Sequence, residues 1–114
     1  MEQRERILPD DPISFIQQCV RAQKIYWTYH VNVRLRGRFI PRNWILESVE
    51  TYELIESHPK DKYLPSYLVW AKAEDAIFHV LFAADVEAQN VRVITVYRPA
   101  ANEWSEDKKR RKKS

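Results

Sequence analysis

Apolar residues recur at helical spacing near the start of the chain, after an acidic pair and a proline. Ile16 and Val20 fall on one side of a helix that would begin at Pro12, because residues three or four positions apart share a helix face. An aspartate followed by proline is typical of a helix start. We therefore predict a helix over residues 12–22 that packs on the core, preceded by a flexible arm over residues 1–10.

The next segment is less regular. Residues 24–28 fit either a short strand or the entry to a helix, since they are rich in β-branched and aromatic side chains. A second helix is predicted from Thr28 to the stop signal at Gly37. Its apolar stripe consists of Trp27, Val31 and Leu35. A third, short helix is predicted to begin at Pro41.

The second half of the chain consists of β-branched and aromatic runs separated by turn residues. These runs predict four strands, at residues 52–56, 67–72, 77–84 and 91–98. A tight turn is predicted at Glu74 and Asp75, and the other connections are also too short to return a strand in parallel. The predicted fold class is α+β, with N-terminal helices packed on one face of a four-stranded antiparallel sheet.

Side-chain alternation sorts this sheet into a core face and a second face, because successive residues of a strand point to opposite sides. The core face is predicted to hold Phe78, Val80, Phe82, Ile94 and Val96. The second face is predicted to hold Ile77, His79, Leu81, Val93, Thr95 and Tyr97. A histidine, a threonine and a tyrosine among apolar neighbours indicate an open cleft on that side.

Composition and charge then limit the class of protein. A chain of 114 residues with 45% hydrophobic residues suits one domain, which we place at residues 11–104. Its single cysteine cannot form an internal disulfide, and no apolar run is long enough for a membrane span, so we expect a cytoplasmic protein without a membrane partner. Residues 108–113 contribute +6 to a net charge of +3, which leaves −3 on the remainder. Residues 105–114 are therefore predicted as a basic tail, which is either a solvated, disordered extension or a segment that holds RNA through its phosphates.

An ordered series of short motifs runs along the chain. Its members are Thr28-Tyr29-His30, Arg34, Arg38, Ile40, Glu53-Leu54-Ile55-Glu56, Pro59, Asp61, Pro65-Ser66, His79-Val80, Ile94-Thr95-Val96-Tyr97 and Trp104. The series resembles the bacterial domain-of-unknown-function family 4258 over roughly residues 11–111. Two positions depart from that pattern: Phe39 stands where the family usually has glycine, and His58 where it commonly has tyrosine.

The resemblance implies a function as well as a fold. That family is thought to be similar to RelE-like and BrnT-like toxin ribonucleases, which implies a RelE-like or barnase-like architecture, an RNA substrate and an antitoxin protein as partner. Cleavage of RNA without a metal needs a base, an acid and cations around the phosphate. The catalytic candidates are His30, His79 and Tyr97, and the phosphate-binding candidates are Arg34, Arg38 and Thr95. We expect no metal and no cofactor, because the three histidines are widely separated and no cysteines cluster.

Each candidate also has a purely structural interpretation. His30 would bond a backbone carbonyl at a helix start, and His79 would pair with a residue across the sheet. Arg34 and Arg38 would form surface ion pairs, and Tyr97 would pack. The competing hypotheses are therefore a non-catalytic module that binds RNA or protein, and an interaction protein whose apolar second face is covered by a second copy in a homodimer.

Overall fold

A computed structural model describes residues 7–28 and 40–112, which form an α+β fold. Two α-helices and a five-stranded sheet are present in these ranges. In chain order the elements are α1 (Pro12–Arg21), β1 (Ile25–Trp27), α2 (Arg42–Glu47), a 3-10 turn (Val49–Thr51), β2 (Glu53–His58), β3 (Ser66–Ala73), β4 (Ala76–Asp85) and β5 (Asn90–Tyr97). Neither of the two described helices is long and apolar enough to cross a membrane.

The start of α1 confirms the predicted capping. The carboxylate of Asp11 accepts a hydrogen bond from the backbone amide of Ser14 at 3.1 Å, and Pro12 occupies the first helical position. Helix α2 begins directly after Pro41, which confirms the predicted short helix there. The helix predicted from Thr28 to Gly37 lies outside the described residues except for Thr28 itself.

The sheet has five strands in the order β1-β5-β4-β3-β2, so the prediction of four strands was wrong by one. The ambiguous segment 24–28 supplies the extra strand, β1. The sheet is also mixed: β2 to β5 form an antiparallel meander, whereas β1 pairs in parallel with β5. Short connections do force consecutive strands to be antiparallel. They say nothing about β1 and β5, which are joined by most of the chain.

Two local features set the register. Glu74 and Asp75 form a two-residue connection with φ of 49° and 67°, the geometry of a hairpin turn that matches strand twist. The predicted tight turn is therefore confirmed. In β5 the pairing shifts at Ile94, because Leu81 faces Thr95 whereas Phe82 faces Val93.

This shift overturns one core prediction. Ile94 has no partner on β4 and is 37% exposed, whereas Val93 is fully buried in its place. Strict alternation fails here because a bulge inserts one extra residue into a strand.

The hydrophobic core lies between the helices and one face of the sheet. The helical layer contributes Ile16, Cys19, Val20 and Ile45, and the sheet contributes Val69, Ala71, Phe78, Val80, Phe82, Val91, Val93 and Val96 among others. Phe78, Val80, Phe82 and Val96 were predicted for this face. The helices therefore cover one side of the sheet only, as predicted, and the second face is left to other parts of the chain.

Candidate functional site

The second face of the sheet carries two rows of paired residues. The first row consists of Tyr97, His79, Trp70 and Glu53, on β5, β4, β3 and β2 in turn. The second row, two residues along, consists of Thr95, Leu81, Leu68 and Glu56. Paired residues of neighbouring strands project to the same side. The sheet therefore lines up a phenol, an imidazole, an indole and two carboxylates on one surface.

A bulge in β2 allows both carboxylates to share this surface. Glu53 pairs with Trp70 and Glu56 with Leu68, and the register shifts between Leu54 and Glu56. Residues three apart in a regular strand would point to opposite faces. The bulge brings Glu53 and Glu56 to one face, and this face contacts residues near the C-terminal end of the described chain.

Residues 104–111, which we call the cover segment, lie on the second face. The indole N–H of Trp70 donates to the carbonyl of Asp107 at 2.9 Å, and the ammonium of Lys109 lies 2.7 Å from a carboxylate oxygen of Glu53. Lys109 also stands over the Trp70 ring, 4.6 Å from its centre. The surface predicted as an open cleft is therefore covered by residues of the predicted tail. The domain boundaries at residues 11–104 and 105–114 themselves stay predictions.

A second ion pair lies at the next row. The guanidinium of Arg111 meets the carboxylate of Glu56 through Nε at 2.5 Å and a terminal nitrogen at 3.3 Å. The pKa of Glu56 is lowered mainly by this hydrogen bond, against an opposing effect of burial. His58 approaches the same carboxylate at 3.4 Å. Glu56 is thus an ionised carboxylate whose charge is matched by the cover segment.

His79 is sealed beneath the cover segment, with no exposed surface. Its Nε2 lies 2.7 Å from the carbonyl oxygen of Lys108, and its Nδ1 lies 3.2 Å from the hydroxyl of Tyr97. A carbonyl oxygen only accepts, so Nε2 carries the proton and, in the neutral ring, Nδ1 accepts from the Tyr97 hydroxyl. Both nitrogens of the imidazole therefore have a partner.

Aromatic rings complete the enclosure of His79. Trp104, only 1% exposed, meets the imidazole edge-on with ring centres 4.4 Å apart. The Tyr97 ring makes a similar contact at 5.3 Å, and the guanidinium of Arg111 stacks over Trp104 at 4.7 Å. These contacts exclude water from the imidazole and bring a cation close to it.

This enclosure changes how the site titrates. Burial lowers the pKa of His79, although the bond to the Lys108 carbonyl opposes that shift; Arg111 lowers the pKa further and Glu56 raises it. Burial also raises the pKa of Tyr97. The imidazole is therefore neutral at pH 7 in this conformation, and it donates a hydrogen bond but has no proton to transfer as an acid.

The cover segment has its own fold. Trp104 pairs with Arg111 in an antiparallel bridge, and the amide of Ser105 donates to the carbonyl of Arg110 at 2.8 Å. The Asp107 carboxylate accepts from the Ser105 hydroxyl at 2.5 Å and from the Lys109 amide at 3.1 Å. These bonds form a tight loop that holds residues 107 and 108 against the sheet.

The predicted site residues have three outcomes. The structure brings His79 and Tyr97 together. Thr95 lies on the same face, one row away and opposite Leu81. His30, Arg34 and Arg38 lie outside the described residues.

Sequence reasoning missed five polar or aromatic residues of this cluster: Glu53, Glu56, Trp70, Trp104 and Arg111. Glu56 needed knowledge of the bulge in β2. Arg111 lay within a charge run that indicated a solvated tail, and Trp104 carried no local signal for contact with His79. Trp70 is the strand partner of His79, and Glu53 is the strand partner of Trp70. Both could be placed at the site once the strand register was known, so the missing information was strand pairing and not residue type.

Comparison with known proteins gives one match. The family described as Domain of unknown function (DUF4258) matches residues 27–98, which include the last residue of β1, α2 and all of the meander, but not α1 or the cover segment. No curated protein and no solved structure matches the chain.

Proposed function

The chain belongs to the DUF4258 family, and from that premise we propose that it is a metal-independent ribonuclease of the RelE-like or BrnT-like toxin type. The observation that supports this proposal is the cluster on the second face of the sheet. An imidazole, a phenol and a carboxylate lie together there, from His79, Tyr97 and Glu56. Such groups can supply the acid and the base that cleavage of RNA without a metal requires.

The reaction assigns a role to each kind of group. A base removes the proton of the ribose 2′-hydroxyl, the 2′-oxygen bonds to phosphorus, and the bond from phosphorus to the 5′-oxygen breaks. An acid then protonates the leaving 5′-oxygen. The products are a 2′,3′-cyclic phosphate and a 5′-hydroxyl end.

The residues fit these roles as follows. His79 is the candidate acid, and the base is His30 or Glu56. Arg34, Arg38 and Thr95 are the candidates for holding the phosphate, with Tyr97 orienting it. Because His79 has no exposed surface, RNA reaches the imidazole only after residues 104–111 have moved away.

Cleavage by purified full-length protein tests this function. Single-stranded RNA is incubated with the protein and a metal chelator, and cyclic-phosphate and 5′-hydroxyl ends are measured. We expect His79→Gln to lower the cleavage rate by roughly 10²- to 10⁴-fold, the usual contribution of a positioned acid or base. Tyr63→Phe is the control, since Tyr63 is 83% exposed and has none of these roles.

Thermal unfolding of both variants separates lost chemistry from lost folding. If wild-type protein leaves every RNA intact, the ribonuclease proposal is wrong. If His79→Gln folds normally and cleaves at the wild-type rate, the assignment of His79 is wrong. The resemblance also implies an antitoxin protein, which would bind the wild-type chain and suppress cleavage.

A second candidate function is a non-catalytic module that binds RNA or protein. The satisfied, fully buried imidazole favours it, because such a histidine stabilises a fold without reacting. In that case RNA stays intact, and His79→Gln lowers the unfolding temperature without abolishing binding. A homodimer on the same fold is the third hypothesis, and the mass in solution tests it.

A further inference from the structure

The cover segment is joined to the sheet without strand pairing. In the described ranges the five strands end with β5 at Tyr97, and the bridge between Trp104 and Arg111 is internal to the segment. The contacts with the sheet are side-chain contacts and two carbonyl acceptors, on Asp107 and Lys108. Releasing the segment therefore breaks no backbone ladder of the sheet.

The cations of this region divide into two groups by their contacts. Lys109 and Arg111 pair with the carboxylates of Glu53 and Glu56. By contrast, Lys108, Arg110 and Lys112 form no ion pair with any carboxylate in residues 7–28 and 40–112. The segment thus uses two cations, Lys109 and Arg111, to hold the sheet and leaves two others, Lys108 and Arg110, without a carboxylate partner, with Lys112 just beyond it.

The two holding ion pairs are open to competition. The side chains of Lys109 and Glu53 are 37% and 53% exposed, and that of Arg111 is 59% exposed. Exposed ion pairs contribute little to stability and weaken with salt. A polyanion that first meets the outward cations can also take over the inward ones.

The surface beneath the segment suits a single-stranded nucleic acid. Tyr97 and Trp70 offer aromatic faces on which bases stack. The N–H groups of His79 and Trp70, now bound to carbonyl oxygens, become donors for phosphate or base oxygens. Glu53 and Glu56 repel phosphate once their cations leave, which directs the phosphates of the strand away from β2.

We propose that single-stranded RNA displaces the cover segment from the sheet by binding its cations, and then occupies the surface formed by Tyr97, His79 and Trp70. The identity of the polyanion rests on the proposed function. The displacement itself requires no cleavage, so the two are separable by experiment.

The indole N–H resonances of the four tryptophans in the full-length protein test this displacement. The ligand is a single-stranded 2′-deoxy oligonucleotide, which lacks the attacking hydroxyl and stays intact, added at low salt. Substitution of each tryptophan by phenylalanine assigns the signals. We expect the Trp70 and Trp104 resonances to move toward the position of exposed indoles, while Trp27 and Trp44, on the helical side, hold theirs.

Two charge-matched double variants test which cations act. Lys109→Gln with Arg111→Gln loosens the segment, which is then still held by Trp104 and the two carbonyl acceptors, so the Trp70 indole should become exposed at a lower oligonucleotide concentration than in the wild type. Lys108→Gln with Arg110→Gln should stay closed and need about tenfold more oligonucleotide to open, since two phosphate contacts are lost. Identical behaviour of the two variants would contradict the division into holding and outward cations.

The remaining outcomes are also decisive. No binding at low salt, or binding that leaves Trp70 and Trp104 unmoved, overturns the displacement. Opening of the segment by the deoxy strand, combined with intact RNA in the cleavage assay, would refute the ribonuclease and leave the displacement standing. Cleavage of RNA combined with an unmoved segment would refute the displacement and leave the ribonuclease standing.

Discussion

His79 is both a structural residue of the closed site and the candidate catalytic acid. Both ring nitrogens are bonded and the ring has no exposed surface. As it stands, the imidazole stabilises the junction between the sheet and residues 104–111. A catalytic role needs the same contacts to be broken, because an acid must be protonated and must reach the leaving oxygen.

The titration of His79 leads to a prediction at this scale. Burial lowers its pKa in the folded state below the ordinary 6.5, so the unfolded chain binds the proton more tightly. Stability is therefore fully present above about pH 6.5 and is lost as the pH falls through that value toward the folded pKa. We expect the free energy of unfolding, measured with urea, to be lower at pH 5.5 than at pH 7.5.

The variant His79→Gln provides the comparison for this measurement. It removes the titrating ring, so the difference between the two pH values should shrink. Glu56, whose pKa is lowered in the fold, weakens stability only at more acidic pH, as the pH falls below the ordinary value of 4.5. An undiminished pH difference in the variant would show that another group is responsible.

At the scale of elements, two bulges and one turn decide which side chains share a face. The bulge in β2 brings Glu53 and Glu56 to the second face, and the shift at Ile94 moves Val93 into the core. Each bulge reverses the alternation for the rest of its strand. The polar cluster therefore depends on irregular positions of otherwise regular strands.

The turn between β3 and β4 gives a prediction about stability. Glu74 and Asp75 both have positive φ, which asparagine and glycine tolerate much better than glutamate does. We expect the double variant Glu74→Asn with Asp75→Gly to raise the free energy of unfolding by about 1 kcal/mol. Glu87→Asn is the control in the next loop, at a position where φ is not positive, and should change stability little. A loss of stability in the double variant would mean that the two acidic side chains make contacts worth more than the strain.

At the scale of the whole molecule, the sheet is covered on both sides by different parts of the chain. Helices α1 and α2 cover the core face, and residues 104–111 cover the second face. Two cations of the basic run, Lys109 and Arg111, contact the sheet, so the run does not extend into solvent as a whole. Its cations balance Glu53 and Glu56, which belong to the net acidic remainder of the chain.

Trp104 tests whether this cover is integral to the fold. Its side chain is buried against His79 and beneath Arg111. Removing a buried tryptophan costs about 3–5 kcal/mol in a well-packed site, so we expect Trp104→Ala to lower the free energy of unfolding by about 3 kcal/mol. Tyr63→Ala, at a tyrosine that is 83% exposed, should change it by less than about 0.5 kcal/mol. A near-neutral Trp104→Ala would mean that the segment adds little to the fold.

Much of the fold was predictable from local patterns. The cap at Asp11, the short helix after Pro41, the tight turn at Glu74 and the core set of Phe78, Val80 and Phe82 follow from spacing and turn chemistry over a few residues. The parallel edge strand β1 was not predictable in the same way. Its partner is β5, more than sixty residues away, and no local pattern encodes that pairing.

The candidate site likewise has a part that local patterns predicted and a part that depends on long-range contacts. His79, Thr95 and Tyr97 were placed on one face by alternation alone, because neighbouring strands in a meander expose alternate residues together. The contacts of His79 with Trp104 and Lys108, and of Arg111 with Glu56, depend on where the chain end lies.

The amino-acid sequence by itself determined helices α1 and α2, the four strands of the meander and the apolar side of β4, since those depend on neighbouring residues. Only the tertiary structure decided that the polar side of the sheet is closed. The reason is physical. A run of lysines and arginines is well solvated as a free tail, so its residue types alone do not predict contact with the sheet. Two carboxylates, an imidazole and an indole, brought together by strand register, give it a surface to bind.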